Sequence, residues 1–251
     1  MLGFNGGLLG KLRVPTSDRA SGLWFPNEQS VAKRDAIWPT DTDPYFANVS
    51  LLLHMDGSNG STTFTDRSSY ARTVTRSGNT QISTAQSKFG GASALFDGSG
   101  DFLNFADATE LEMTGDFTVE CFVYPTVTLD QIIAGHSIQN VQLFRINGGA
   151  VGSLAFFLNG TQVFSNTAAG ITANQWKHLA ISRSGSTTRM FVDGVQKGSS
   201  NTSWTGSFKI NRIGGAFTFD FQGNLDEFRI TKGVARYTTN FTPPTAPFPD
   251  G

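Results

Sequence analysis

The sequence is poor in cysteine, in charge and in long apolar runs. Cys121 is the single cysteine among 251 residues, so no intrachain disulfide can form, which fits folding in a reducing compartment. Charged residues make up 16% and the formal net charge is −1, so no field attracts nucleic acid or anionic lipid. No run approaches the roughly 20 apolar residues of a membrane span, and MLGFNGGLLGKLRVP shows no signal peptide. We expect no nucleic-acid partner and no membrane insertion.

Proline is nearly absent from the middle of the chain. Only Pro125 interrupts residues 46–236, whereas the other prolines lie in residues 1–45 and 237–251. Because proline cannot donate to a β-ladder, it is excluded from central strands. The distribution predicts a sheet-forming body over 46–236, an extended arm over 1–45 and a terminal strap over 237–251.

The body is rich in glycine and phenylalanine, with 28 and 22 residues in the whole chain. Phenylalanine packs well on a pleated surface, and glycine supplies the backbone angles of tight turns. In FTVECFVY the residues Phe117, Val119, Cys121 and Val123 share one face, which is the period of a strand. Similar runs cover 49–55, 93–97, 102–105, 131–134, 141–146, 154–158, 176–183, 188–192, 208–213 and 225–231. Many short strands without an amphipathic helix predict an all-β sandwich or barrel.

Five segments of the body resemble, in family order, the laminin-G-like (pentraxin/concanavalin-like) jelly-roll family. They are VSLLLHMDGSNGSTTFTDRSS, KFGGASALFDGSGDFLNF, FTVECFVYP, NQWKHLAISRSGSTTRMFVDGVQKGS and FQGNLDEFRITKGVARYTTNFTPP. The resemblance covers residues 48–245 and implies a two-sheet antiparallel jelly-roll β-sandwich of concanavalin A-like type.

The first 45 residues resemble the N-terminal arms of laminin-G-like proteins from marine tailed bacteriophages. This resemblance implies a non-enzymatic virion component (a fibre, tail-tip or head-decoration protein) that is held by its arm among other virion proteins as a homo-oligomer. Trp24, Phe25, Ile37 and Trp38 are the candidate anchors, since large apolar groups on a proline-rich segment often mark a partner surface. Alternatively, these side chains fold back onto the sandwich. The rival hypothesis is a free carbohydrate-binding lectin domain of a bacterial surface or secreted protein.

Catalytic patterns are weak. A glycoside hydrolase needs two carboxylates flanking the scissile bond, but Glu110 and Glu112 fall in an expected loop. Asp226 and Glu227 are adjacent, so on a regular strand they would point to opposite faces. The three histidines lie in separate segments, and no G-x-S-x-G motif is present. We therefore expect no enzymatic activity.

The family resemblance implies a calcium ion at the rim of the sandwich. The matching acids are Asp56, Asp66 and Asp226, of which Asp226 is expected to share a face with Phe228 and Ile230. A carboxylate on such an apolar face needs a partner. The partner could be calcium, an arginine (Arg67 or Arg72) or backbone amides.

Aromatic rings in polar loops are candidates for stacking on host-surface glycans. Trp204 in SSNTSWTGS is the foremost candidate, followed by Tyr70 and Tyr237. The alternative for Trp204 is that it caps the core. The alternating Phe217, Phe219 and Phe221 favour packing in the core or between subunits.

Overall fold

The computed structural model describes residues 42–136, 138–166, 168–202, 204, 206–216 and 219–251. They contain two short 3-10 turns, Phe46–Asn48 and Thr109–Leu111, and otherwise strands. The strands are β1 Val49–Leu53, β2 Thr75–Ser77, β3 Gln81–Ser83, β4 Ser93–Asp97, β5 Phe102–Asn104, β6 Glu112–Met113, β7 Phe117–Pro125, β8 Gln131–Gly135, β9 Val141–Ile146, β10 Leu154–Leu158, β11 Thr161–Asn166, β12 Lys177–Ser184, β13 Thr187–Val192, β14 Val195–Gln196, β15 Phe208–Lys209, β16 Arg212–Ile213, β17 Gly215–Ala216, β18 Phe219–Asp220 and β19 Gln222–Lys232.

Two large antiparallel sheets form the body. The larger sheet has the order β14-β13-β12-β7-β19-β4-β3, and β1 also pairs with β19. The smaller sheet has the order β11-β10-β9-β8-β16-β5-β2. Two further antiparallel pairs, β15 with β6 and β17 with β18, complete the described part of the chain. The predicted fold class, an all-β antiparallel sandwich, is confirmed.

The main core lies between the two sheets. Alternate residues of β7 point into it, as the sequence period predicts. Val119 of β7 and Leu179 of β12 meet Leu143 of β9 and Phe156 of β10 in one buried cluster. Each of these four residues has 0% exposure, so the facing sheets exclude water from the interior.

The outer face of the larger sheet is buried as well. On β7 this face carries Glu120 and Phe122, with 0% and 2% exposure. The C-terminal segment 237–251, called the strap, runs across it. Phe248 of the strap packs in a second cluster with Phe122, and Tyr237 stacks on Phe241 with ring centroids 3.5 Å apart. The strap therefore forms a partial third layer.

The strap is also bonded to the edge of the larger sheet at β14. The Phe241 amide donates to the Gly194 carbonyl at 2.9 Å, and the Gln196 amide donates to Asn240 Oδ1 at 2.9 Å. Gly194 has a φ of +75°, and a Cβ there would lie 1.9 Å from the Phe241 carbonyl oxygen. The close approach of the strap thus requires glycine at this turn.

Glu120 is the centre of a buried polar network under the strap. Its Oε1 accepts hydrogen bonds from Arg229 Nε at 3.0 Å and Nη2 at 2.8 Å. Its Oε2 accepts from the Tyr237 hydroxyl at 2.8 Å and contacts His178 Nε2 at 3.2 Å. Burial alone would raise the pKa of Glu120, but Arg229 and His178 lower it to about 2. The carboxylate is therefore ionised inside the protein.

Asp43 extends this network. Its carboxylate accepts from Arg229 Nη1 at 3.1 Å and from Arg236 Nη1 at 3.0 Å. The compact unit that contains the sandwich begins at Asp43. This unit includes the last three residues of the predicted arm, and Asp43 among them neutralises two arginines of the sandwich.

Substituting Glu120→Gln should destabilise the protein strongly, because it leaves Arg229 buried without its main counter-charge. Breaking a buried ion pair in this way costs about 3–5 kcal/mol. Urea unfolding at pH 7 measures the loss. The folded-state pKa of Glu120 is depressed, so the difference from wild type should be present above about pH 4.5 and shrink as the pH falls toward 2.

Glu112→Gln is the matched control, since Glu112 is only half-buried and accepts a single exposed hydrogen bond from Ser207. Its effect should stay within about 0.5 kcal/mol. Equal unfolding free energies for Glu120→Gln and wild type at pH 7 would contradict a stabilising role for the network.

Candidate functional site

A β-bulge in β19 determines where its acidic residues point. The register against β7 shifts between Asp226, which pairs with Phe122, and Arg229, which pairs with Glu120. Glu227 lies within the bulge and has a φ of 51°. A bulge inserts one extra residue and bends the strand, so the simple alternation of faces is interrupted there.

The bulge overturns two expectations. Asp226 lies on the outer face beside Phe122, whereas Phe228 and Ile230 lie in the main core. The prediction that Asp226 shares their face is therefore wrong. The expectation that Asp226 and Glu227 point to opposite faces is wrong as well, since Glu227 Oε2 accepts from the amide of Phe248, which packs with Phe122 on the outer face.

Asp226 is a buried carboxyl with one unused oxygen. Oδ2 accepts from the amides of Lys88 at 2.7 Å and Phe89 at 3.1 Å. Oδ1 is buried without a hydrogen-bond partner among the described residues. Burial, together with the charges of Glu227 and Asp56, raises the pKa of Asp226 to about 7 against the effect of the two amides.

Asp56 follows β1 and lies against the loop whose amides hold Asp226. A Cβ on Gly90, which has a φ of +60°, would lie 1.9 Å from Asp56 Oδ1. Glycine at this position therefore lets the Lys88–Gly90 loop bring the two carboxylates together. Partial burial raises the pKa of Asp56. Two of the three predicted calcium ligands are thus neighbours.

Asp66, the third predicted ligand, is occupied by its own loop. Its Oδ1 accepts from the amides of Leu52 at 3.0 Å and Ser68 at 2.9 Å. Its Oδ2 accepts from the Ser68 hydroxyl and the Arg72 amide, both at 2.9 Å. Both carboxylate oxygens of Asp66 are therefore hydrogen-bonded within the protein. Its role as a metal ligand stays a prediction.

His54 links the bulge to the strap, a contact that the sequence did not indicate. Its Nδ1 lies 2.9 Å from Glu227 Oε1, and its Nε2 lies 3.0 Å from Asp250 Oδ1. Glu227 Oε2 also accepts from the Phe248 amide at 2.9 Å. Burial alone would lower the pKa of His54, but hydrogen bonds to Glu227 and Asp250 raise it to about 9. His54 is therefore a cation at neutral pH.

These groups border a cleft of about 350 Å³ at the end of β1, called the rim cleft. It is lined by Leu53, His54, Met55, Asp56, Phe64, Thr65, Arg67, Pro247, Phe248 and Asp250. Arg67 is exposed, and no described carboxylate forms a salt bridge with it. The cleft thus combines hydrogen-bonding groups of both charges with apolar walls.

The three predicted sugar-stacking residues differ in position. Tyr70 is 45% exposed, with the Arg72 guanidinium 4.6 Å from its ring centroid, so its role stays a prediction. Trp204 packs edge-to-face on Phe156 at 5.6 Å, which fits the alternative that it caps the core.

Tyr237 is engaged within the protein, and its role in sugar stacking stays a prediction. Its hydroxyl donates to Glu120 and its ring stacks on Phe241, so both polar and apolar parts are committed within the protein. The predicted anchors Trp24, Phe25, Ile37 and Trp38 lie outside the described residues, as does Phe217.

The described residues contain no cluster of three or more His, Cys, Asp or Glu side chains suited to a metal ion. In that same part of the chain, no helix has the length and apolar character that a membrane crossing requires.

The fold is that of a concanavalin A-like β-sandwich. A family model described as the concanavalin A-like lectin/glucanases superfamily matches residues 97–236, more than half of the chain. The chain belongs to this superfamily. No curated protein sequence matches it significantly.

Solved structures share the fold at low sequence identity. Domain 4 of AbnA, a GH43 extracellular arabinanase from Geobacillus stearothermophilus solved with arabinotriose, is 19% identical with a TM-score of 0.56, covering 75% of this chain and 94% of that one. The binding domain of Paraclostridial Mosquitocidal Protein 1 is 13% identical with a TM-score of 0.55, covering 77% and 50%. Trypanosoma rangeli sialidase is 13% identical with a TM-score of 0.51, covering 74% and 30%. The match thus spans half of the toxin domain and less of the sialidase.

His54→Gln should flatten the pH dependence of stability on the alkaline side. A raised folded-state pKa contributes stability that is complete below about pH 6.5 and lost as the pH rises through 9. We expect the wild-type advantage over His54→Gln to be about 1–2 kcal/mol at pH 6, after allowance for solvent screening. Denaturant unfolding at pH 6 and pH 9.5 measures it, and parallel pH profiles for the two proteins would contradict the ion pairs.

Proposed function

We propose that the protein is a non-enzymatic glycan-binding module and that the rim cleft holds the sugar. The observation that carries this proposal is the composition of the cleft. It presents the exposed Arg67 and the cationic His54 beside the carboxylates of Asp56 and Asp250. Such a mixture of donors and acceptors suits sugar hydroxyls, and the superfamily to which the chain belongs includes lectins.

The apolar walls support the same ligand. Phe64 and Phe248 line the cleft, and a pyranose offers C–H groups on its ring faces along with hydroxyls. Ligand sites commonly pair apolar walls with a few placed polar groups. The AbnA domain, which has the same fold, was solved with arabinotriose.

The absence of hydrolysis is part of the proposal. A hydrolase must place two carboxyl groups on either side of the glycosidic bond. Asp226 has the raised pKa of a general acid but 0% exposure, beneath the Lys88 and Phe89 amides. A carboxyl sealed in this way does not reach a substrate.

We further propose that calcium can join Asp56 and Asp226. The buried, unpartnered Oδ1 of Asp226 fits an oxygen ligand to a hard cation. The repulsion between the two carboxylates supports a cation there. With Asp66 engaged elsewhere, backbone carbonyls and water would supply the remaining ligands. The ion would neutralise the rim and order the Lys88–Gly90 loop.

At a finer level, we propose that the protein is a tailed-phage virion component that displays this module through its arm, in several copies. The resemblance of residues 1–45 to phage arms supports this. So do the large apolar side chains of Trp24, Phe25, Ile37 and Trp38 on this proline-rich segment, which are of the kind that often marks a partner surface. A free bacterial lectin is the competing function, and it would need no arm.

Glycan capture by the full chain tests the main proposal. On an array of bacterial-surface glycans, Arg67→Gln should weaken binding about tenfold or more, since hydrogen bonds to a charged group contribute about 1.5–3 kcal/mol. Arg189→Gln, a half-buried arginine on β13 outside the cleft, is the matched control and should bind like wild type. No reducing ends should be released from bound glycans.

Capture of no glycan by wild type, or equal capture by Arg67→Gln, would contradict the rim cleft. Release of reducing ends would contradict the non-enzymatic part.

The calcium proposal has its own test. In the same protein, a chelator should lower the melting temperature, and Asp226→Asn should remove that response while Asp193→Asn retains it. A melting temperature that does not respond to calcium would contradict the proposed metal site without contradicting glycan binding.

The arm proposal predicts that Trp24→Ala combined with Trp38→Ala prevents incorporation into phage particles. Truncating aromatic anchors typically costs about 2 kcal/mol or more each at an interface. Particles assembled from cells that express each variant are purified and probed for the protein. The double variant should keep wild-type glycan capture, because the rim cleft is unchanged. Equal incorporation of wild type and variant would refute the anchoring role and favour the free lectin.

A further inference from the structure

A second pocket lies on the outer face of the larger sheet, away from the rim cleft. Its volume is about 550 Å³, within the range of small-molecule sites. It is lined by Lys88, Phe89, Phe122, Trp176, His178, Asp193, Thr242, Pro243, Pro244 and Thr245. None of these residues lines the rim cleft, so the pocket needs its own explanation.

The pocket is lined by a ring nitrogen without a hydrogen-bond partner. His178 is 1% exposed, and its ring lies 4.7 Å from Phe122. Its Nε2 faces the ionised Glu120, which can only accept, so Nε2 carries a proton. Its Nδ1 is buried without a partner among the described residues. A ligand hydroxyl, which can donate or accept, would satisfy it.

One wall of the pocket carries an unpaired cation. Lys88 is exposed, and its ammonium lies 5.5 Å from the Phe89 ring and 5.3 Å from the Phe122 ring. No carboxylate of the described residues forms a salt bridge with it. The hydrogen bonds of the Lys88 and Phe89 amides to Asp226 hold this wall in place. An anionic group of a ligand would complete the site.

The opposite wall is aromatic and polar. Trp176 is half-buried and packs against Tyr124 at 5.5 Å between ring centroids. Beside it, Asp193 is already paired with Lys177 at 2.9 Å, so its charge does not compete for Lys88. Threonines 242 and 245 of the strap add hydroxyls at the mouth.

We propose that this pocket binds a carboxylated pyranose, such as a uronic acid unit. The carboxylate would pair with Lys88, a C–H face of the ring would pack on Trp176, and a hydroxyl would form a hydrogen bond with His178 Nδ1. A neutral sugar would leave Lys88 without a partner, and a simple anion would leave His178 and Trp176 unused. The site shares no lining residue with the rim cleft.

Titration of the full chain with D-glucuronate and D-glucose tests the proposal, with the ring nitrogens of His178 followed by NMR. Glucuronate should shift the Nδ1 resonance and bind at least fivefold more tightly than glucose at low salt. Lys88→Gln should abolish that preference, because only the charge interaction distinguishes the two sugars. Trp176→Ala should weaken both sugars. Lys197→Gln, which changes a lysine outside the pocket, should behave like wild type.

Three results would overturn the proposal. They are an unshifted His178 resonance, an unchanged preference in Lys88→Gln, and an equal response to sodium acetate, which would show a site for simple anions. Arg67→Gln separates the two sites. It should weaken glycan capture at the rim cleft and leave the His178 shift intact. If wild type captures no glycan, or Arg67→Gln captures as well as wild type, while the His178 shift persists, the proposed function is wrong and the pocket stands.

Discussion

An ionised carboxylate in the middle of the larger sheet constrains everything packed around it. An unpaired charge at the depth of Glu120 would cost several kcal/mol, so its neighbours must supply positive charge and hydrogen bonds. Arg229 comes from β19, His178 from β12 and Tyr237 from the strap. A shift of either neighbouring strand by one residue would turn these groups into the core. The requirement of one side chain thereby fixes the register of three strands.

The same requirement explains the geometry of the rim. Arg229 must stand opposite Glu120, and Asp226 stands opposite Phe122. Between these two pairs β19 has two residues where β7 has one. The extra residue is accommodated by a bulge at Glu227, whose backbone lies in the left-handed region. Its carboxylate then meets His54. The bulge in β19 thus lies between the acidic residues of the rim and Arg229 of the buried network.

Much of the sandwich could be predicted from alternation and turn residues. The expected strands 93–97, 141–146 and 154–158 have the observed bounds of β4, β9 and β10. β2 and β3 were missed because three residues are too few to show a period, and the polar TQVFSN of β11 hides its alternation. The local pattern of residues cannot reveal a strand that forms only because of the strands it pairs with.

The site was less predictable than the fold. Family resemblance indicated Asp56 and Asp226, which the structure brings together. The bulge and the pairing of His54 with Glu227, 173 residues apart, depend on tertiary contacts that no local pattern encodes. Tyr237 resembled an exposed loop aromatic because nothing in the sequence shows that the chain folds back over its own sheet.

The hydrogen bonds of the strap at β14 also bear on association. An open sheet edge offers amides and carbonyls to a strand of another chain, and this is a common route to aggregation. Here Phe241 takes the Gly194 carbonyl and Asn240 takes the Gln196 amide. The strap therefore protects this edge of the sheet from pairing with a strand of another chain. Copies held close together can lie side by side at this edge without forming a continuous sheet.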